Sequence, residues 1–143
     1  MIPMSLITNT FVLVAADCPV TAAEVPVGRG NTPTVPVLQH ELLTARPYSL
    51  TLEDLMFEVH VRRSGLSTAE VRKHTATIRA LLFGKPYPCM RASALPKRYG
   101  WGAHHDAAGK LALVPMQSAE YRRFAEGKVK GVEVVPAMRS KRA

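Results

Sequence analysis

The chain has 143 residues, enough for one domain and short for two, and long enough to bury a core without disulfide or metal staples. Apolar residues make up 47% and charged residues 21%, which excludes wholesale disorder, a collagen-like chain and a disulfide scaffold. The formal net charge is +8, and it is unevenly placed: residues 1–60 carry two bases against six acids, residues 61–96 seven against one, and residues 97–143 ten against four.

In chain order, residues 10–16 form a continuous Val-rich apolar run that predicts a buried strand. Residues 17–36 contain four prolines and two glycines, and predict a long irregular loop. Thr34 is placed to cap a helix that runs to Ala45, where Arg46-Pro47 stops it. Thr51 and Asp54 have the spacing of a capping box. The residues after it fit two periods, helical through Leu52, Leu55, Met56 and Val59, or extended through Phe57, Val59 and Val61. The β-branched alternation favours one helical turn followed by a strand over 56–62. Ser67 and Glu70 make a second capping box, opening a helix to residue 83 with a stripe of Val71, Thr75, Ile78, Leu81 and Leu82.

Residues 98–105 and 110–116 predict a β-hairpin around Asp106-Ala-Ala-Gly109, with Gly109 at positive φ. Ser118 caps a short helix that ends before Gly127, and a last strand is expected around 129–135. Residues 136–143 form a basic tail, expected to fray. These elements add up to a single α+β domain over residues 1–143, with a mostly antiparallel sheet and two to four helices packed on it.

Cys18 and Cys89 stand far apart and form neither a disulfide framework nor metal-finger spacing. The run Phe11–Ala16 lacks the preceding bases of a secretory signal, and no stretch approaches a membrane span. The expectation is a cytoplasmic protein with reduced thiols, and no membrane partner.

The basic second half favours an anionic partner, although a solvated face that keeps a small protein soluble explains the same charge. Chemistry-bearing residues are densest between Cys89 and His105. On a strand over 98–105, Arg98, Gly100, Gly102 and His104 share one face, a bare strip of backbone beside a guanidinium and an imidazole. Arg91, Lys97 and Arg98 offer charge-assisted bonds to phosphate or carboxylate, and Tyr99 or Trp101 offers a surface on which a base can stack. A core anchor is the favoured reading of the single tryptophan, Trp101. Cys89 and His60 are secondary candidates for a nucleophile and its base, weighed against a small buried thiol and a solvent-facing imidazole. His104 and His105 point to opposite faces of a strand, so no metal site is expected, and no cofactor motif is present.

Several segments together carry a resemblance: Asn9-Thr-Phe11, Asp17-Cys-Pro-Val20, Phe57-Glu-Val-His-Val-Arg-Arg63, Arg91-Ala-Ser-Ala-Leu-Pro-Lys-Arg-Tyr-Gly-Trp-Gly102 and Met138-Arg-Ser-Lys-Arg142. The chain resembles a family of small uncharacterised bacterial proteins, a domain of unknown function. That resemblance implies a single-domain bacterial protein and supplies no catalytic residue. In element order alone, the central block is also loosely similar to proteins with a frataxin-like helix-and-sheet layer. The expected function is a binding module for an anionic ligand, nucleic acid or a phosphorylated small molecule. A protein-interaction module and a small enzyme using Cys89 or a histidine are the alternatives.

Overall fold

The computed structural model describes residues 7–28, 33–85 and 87–140. Its elements are β1 (Thr10–Leu13), α1 (Val35–Ala45), α2 (Leu52–Ser64), α3 (Thr68–Phe83), a 3-10 turn at Met90–Ala92, α4 (Ala94–Arg98), β2 (Trp101–His105), β3 (Leu111–Pro115), α5 (Ala119–Ala125) and β4 (Glu133–Pro136). The fold is α+β, built on one four-stranded sheet in the order β3-β2-β1-β4. β3 with β2 and β2 with β1 are antiparallel, while β1 and β4 run parallel.

Alternation along β1 and β2 divides the core in two. Val12 and Ala103 face α1 and α2, in a cluster with Leu38, Leu42, Leu43, Leu55, Met90 and Leu95. Phe11 faces the other way and stacks on Phe124 of α5 at 4.3 Å, with Tyr121 edge-on at 5.5 Å. Gly102 lies beneath this aromatic group, where a Cβ would come within 2.5 Å of the Phe11 ring and 2.9 Å of Tyr121. The glycine is required because the rings occupy the space of a side chain.

The Asp106–Gly109 turn forms as expected, with Gly109 at φ 80° and the Asp106 carboxylate accepting from Ala108 and Lys110. Ser67, Thr51 and Ser118 cap their helices through side-chain oxygens, the first two in full capping boxes. α1 begins after Thr34 and has a proline in its first turn.

The strand expected over 56–62 is a helix: α2 continues unbroken to Ser64, and Gly65 closes it at φ 74°. The reading fails because α2 is covered on two sides. Leu52, Leu55 and Val59 face the α1 side of the core, while Phe57 lies under the Arg79 guanidinium of α3 at 4.4 Å. Two buried faces blur a 3.6-residue period into something resembling alternation. The strand expected from residue 98 begins only at Trp101. Ser93 caps α4 by accepting from Leu95 N–H at 3.2 Å, so Arg98 ends a helix and Tyr99 is its cap.

Residues 17–28 carry no helix or strand. Arg29 and Gly30 of the Gly-Arg-Gly sequence lie outside the described residues. At the other end of the chain, Ala137 N–H donates to Leu13 O, Met138 N–H to Arg91 O and Ser140 N–H to Asp17, so residues 137–140 are tied to the body.

Candidate functional site

The residues singled out between 91 and 104 do not converge. The Arg91 Nε–H donates to Pro136 O at 2.7 Å and holds the end of β4. Arg98 is exposed at the end of α4, and Lys97 is half-buried beside it. The Trp101 indole N–H donates to Glu24 O at 2.8 Å, and the Tyr99 carbonyl accepts from Glu24 N–H at 2.8 Å. The 17–28 loop therefore lies along residues 99–101. Gly100 is buried under Val20, Ala23 and Met116, so the strip of backbone read from the sequence is covered.

Trp101 has the His40 ring edge-on at 5.0 Å on the helical side of the sheet. His104 points to the α5 side, 4.6 Å from the Phe124 ring, and its Nδ1 shares a 2.9 Å hydrogen bond with the Tyr48 hydroxyl. Burial lowers the pKa of His104, with Asp106 and Glu120 acting in the opposite sense. The two side chains thus stand on opposite faces of β2.

A different place gathers apolar surface and polar groups. The start of α1, one face of α2 and residues 88–94 enclose a cleft of about 430 Å³. Leu52, Met56, Val59, His60 and Arg63 line it from α2 at helical spacing, so one stripe supplies both an apolar wall and a basic end. Met90 and Pro88 add apolar surface opposite, and Cys89 also lines the cleft. Ser93 Oγ–H donates to Gln39 Oε1 at 2.8 Å, which leaves the amide NH2 end to donate. Both secondary candidates, Cys89 and His60, thus line one cleft. None of Arg91, Lys97, Arg98, Tyr99, Trp101 and His104 does. The polar groups missed by sequence reading are Gln39, Arg63 and Ser93. Only Arg63 carried a signal, three residues after His60 on a helix taken for a strand.

Among the described residues, no group of three or more His, Cys, Asp or Glu could hold a metal ion, and no helix is long and apolar enough to cross a membrane. A protein-family model matches residues 4–143. The chain belongs to that family of unknown function (DUF6157). No curated protein and no solved structure matches this DUF6157 chain, so the loose likeness to frataxin-like proteins carries no argument.

Proposed function

We propose that the protein is a cytoplasmic binding module for a small molecule with an apolar body and an anionic end. The carrying observation is the α2 stripe, in which Met56 and Val59 offer a wall for the body and Arg63 stands where the wall ends. A guanidinium presents a fork that matches a carboxylate or phosphate, and the exposed His60 one turn earlier adds a second donor. The volume suits a small ligand, since such sites are typically apolar clefts of roughly 300–1,000 Å³ with a few polar groups.

The test pairs anions with neutral isosteres: octanoate with octanamide, and phenyl phosphate with phenol, followed by calorimetry and thermal denaturation. At about 100 times Kd a ligand adds about 2.7 kcal/mol, which raises Tm by roughly 5–10 °C for a chain of this size. The anions should bind more tightly than the neutral members, Arg63→Gln should remove the difference, and Met56→Trp should block all of them. Failure of every compound to bind, or unimpaired binding by Met56→Trp, refutes the cleft.

A second reading rests on Cys89 and His60 lining the same cleft: thiol chemistry on the bound molecule. Alkylation of Cys89 followed against pH tests it. A rate that tracks an ordinary thiol removes the nucleophile.

A further inference from the structure

α3 is long but poorly embedded. Ile78 is the only buried residue among its sixteen, and the helix packs on α2. Its outward positions Ala69, Lys73, Ala76 and Ala80 recur at helical spacing and are all exposed. The helix also departs from regular geometry at His74, with φ −114° and ψ 17°. There the Thr75 hydroxyl donates to Val71 O at 2.6 Å and competes with the backbone ladder.

Charge distinguishes this edge from an ordinary solvated helix. Arg62, Arg72, Lys73 and Lys85 are exposed, and among the described residues none of them joins an ion pair. Arg79 is the engaged exception, 3.5 Å from Asp54 and stacked on Phe57. The one acid between 61 and 85, Glu70, is occupied by the Ser67 cap. Gly65 closes α2 three residues after Arg62 and α3 begins at Thr68, so Arg62 stands near the start of α3 along the chain.

We propose that the outward face of α3, with Arg62, docks on the sugar–phosphate backbone of duplex nucleic acid. A helix whose crest is alanine apart from Lys73 lets its backbone come close to a groove wall, while Lys73 and the cations beside the crest meet the phosphates. A duplex offers one such charge per about 1.7 Å of axis. The crest carries no Asn, Gln or Arg, and its single donor, Lys73, is assigned to phosphate, so the contact is independent of sequence. A lipid surface fits less well, because three of the four crest residues are alanine and Leu81, 74% exposed, is the exposed large apolar residue of α3. This surface is separate from the cleft and does not depend on the small-molecule reading.

Fluorescence anisotropy with the full chain and a labelled 20-base-pair duplex tests the proposal. Contact with three or four phosphates should weaken binding roughly 40- to 150-fold between 50 and 200 mM salt. Arg72→Glu with Lys73→Glu should cost at least about tenfold in affinity, whereas Arg122→Glu with Arg123→Glu on α5 makes the same change in net charge and should cost less than about threefold. Circular dichroism checks both double variants; if glutamates unfold α3, Arg72→Ala with Lys73→Ala carries the same comparison. The proposal is overturned by absence of binding at 50 mM salt or by equal losses in the two double variants. Equally tight binding to poly-glutamate or to vesicles containing phosphatidylserine also overturns it.

Discussion

Acid should unfold this protein through His105. The ring is 1% exposed and both of its nitrogens lack a hydrogen-bond partner among the described residues. It sits at the end of β2, opposite Thr10 of β1 and Leu111 of β3. Burial pushes its pKa down to about 4, the neighbouring His104 adds to the lowering, and Asp106 opposes it. In the unfolded chain the same group titrates near 6.5, so between about pH 6.5 and 4 the unfolded state binds the extra proton. Stability is therefore full above pH 6.5 and falls as the pH drops through that window. At about 1.4 kcal/mol per pKa unit, the total loss from this group is about 3 kcal/mol, a large part of the stability of a small domain. Urea denaturation at pH 7, 6, 5 and 4 measures it, with His105→Leu as the comparison. Leucine keeps the bulk and removes the two orphaned nitrogens, so the variant should be at least as stable as the wild type at pH 7. Its curve against pH should be flatter by about 3 kcal/mol, with the contributions of His40 and His104 still present in both proteins. Parallel curves for the two proteins would refute the reasoning.

Gly102→Ala should destabilise by about 1–3 kcal/mol, because the new methyl meets the Phe11 and Tyr121 rings of a packed aromatic group. Chemical denaturation reads the loss, and an unchanged midpoint would mean that the rings move aside freely. Thr51→Ala should cost about 1 kcal/mol, since it removes the bond that Asp54 N–H donates to the Thr51 hydroxyl at the start of α2. Hydrogen exchange in the first turn of α2 should accelerate with it.

Much of the architecture was legible where a few neighbouring residues decide the outcome. Ser67 with Glu70 opened α3, Thr51 with Asp54 opened α2, and the Asp106–Gly109 turn joined β2 to β3, because caps and tight turns are local chemistry. α4 was hidden because five residues containing Pro96 are too short to show a period, and Ser93 as its cap stands in a run to which no element was assigned. The extent of α2 was hidden by Phe57, whose burial under Arg79 depends on how α3 folds back. The cleft left no local trace at all. Gln39, Met56 and Ser93 come from three separate stretches, and no spacing in the sequence brings them together. Conversely, the densest chemical segment, 89–105, serves the fold in part: its tryptophan and tyrosine anchor the 17–28 loop, and Gly102 makes room for Phe11 and Tyr121.

The parallel pairing of β1 with β4 has a consequence for how the chain matures. β1 is made first, yet it joins β2 roughly 90 residues later and β4 roughly 120 residues later, each with an exact register from Thr10 onward. During synthesis the helical α1–α3 segment leaves the ribosome before any strand can pair with β1, whose buried Phe11 and Val12 are then uncovered. Pairings of such long separation are slow to form, because closing the loop costs entropy before contacts repay it. The vulnerable species is therefore a nascent chain with its helices formed and its sheet waiting.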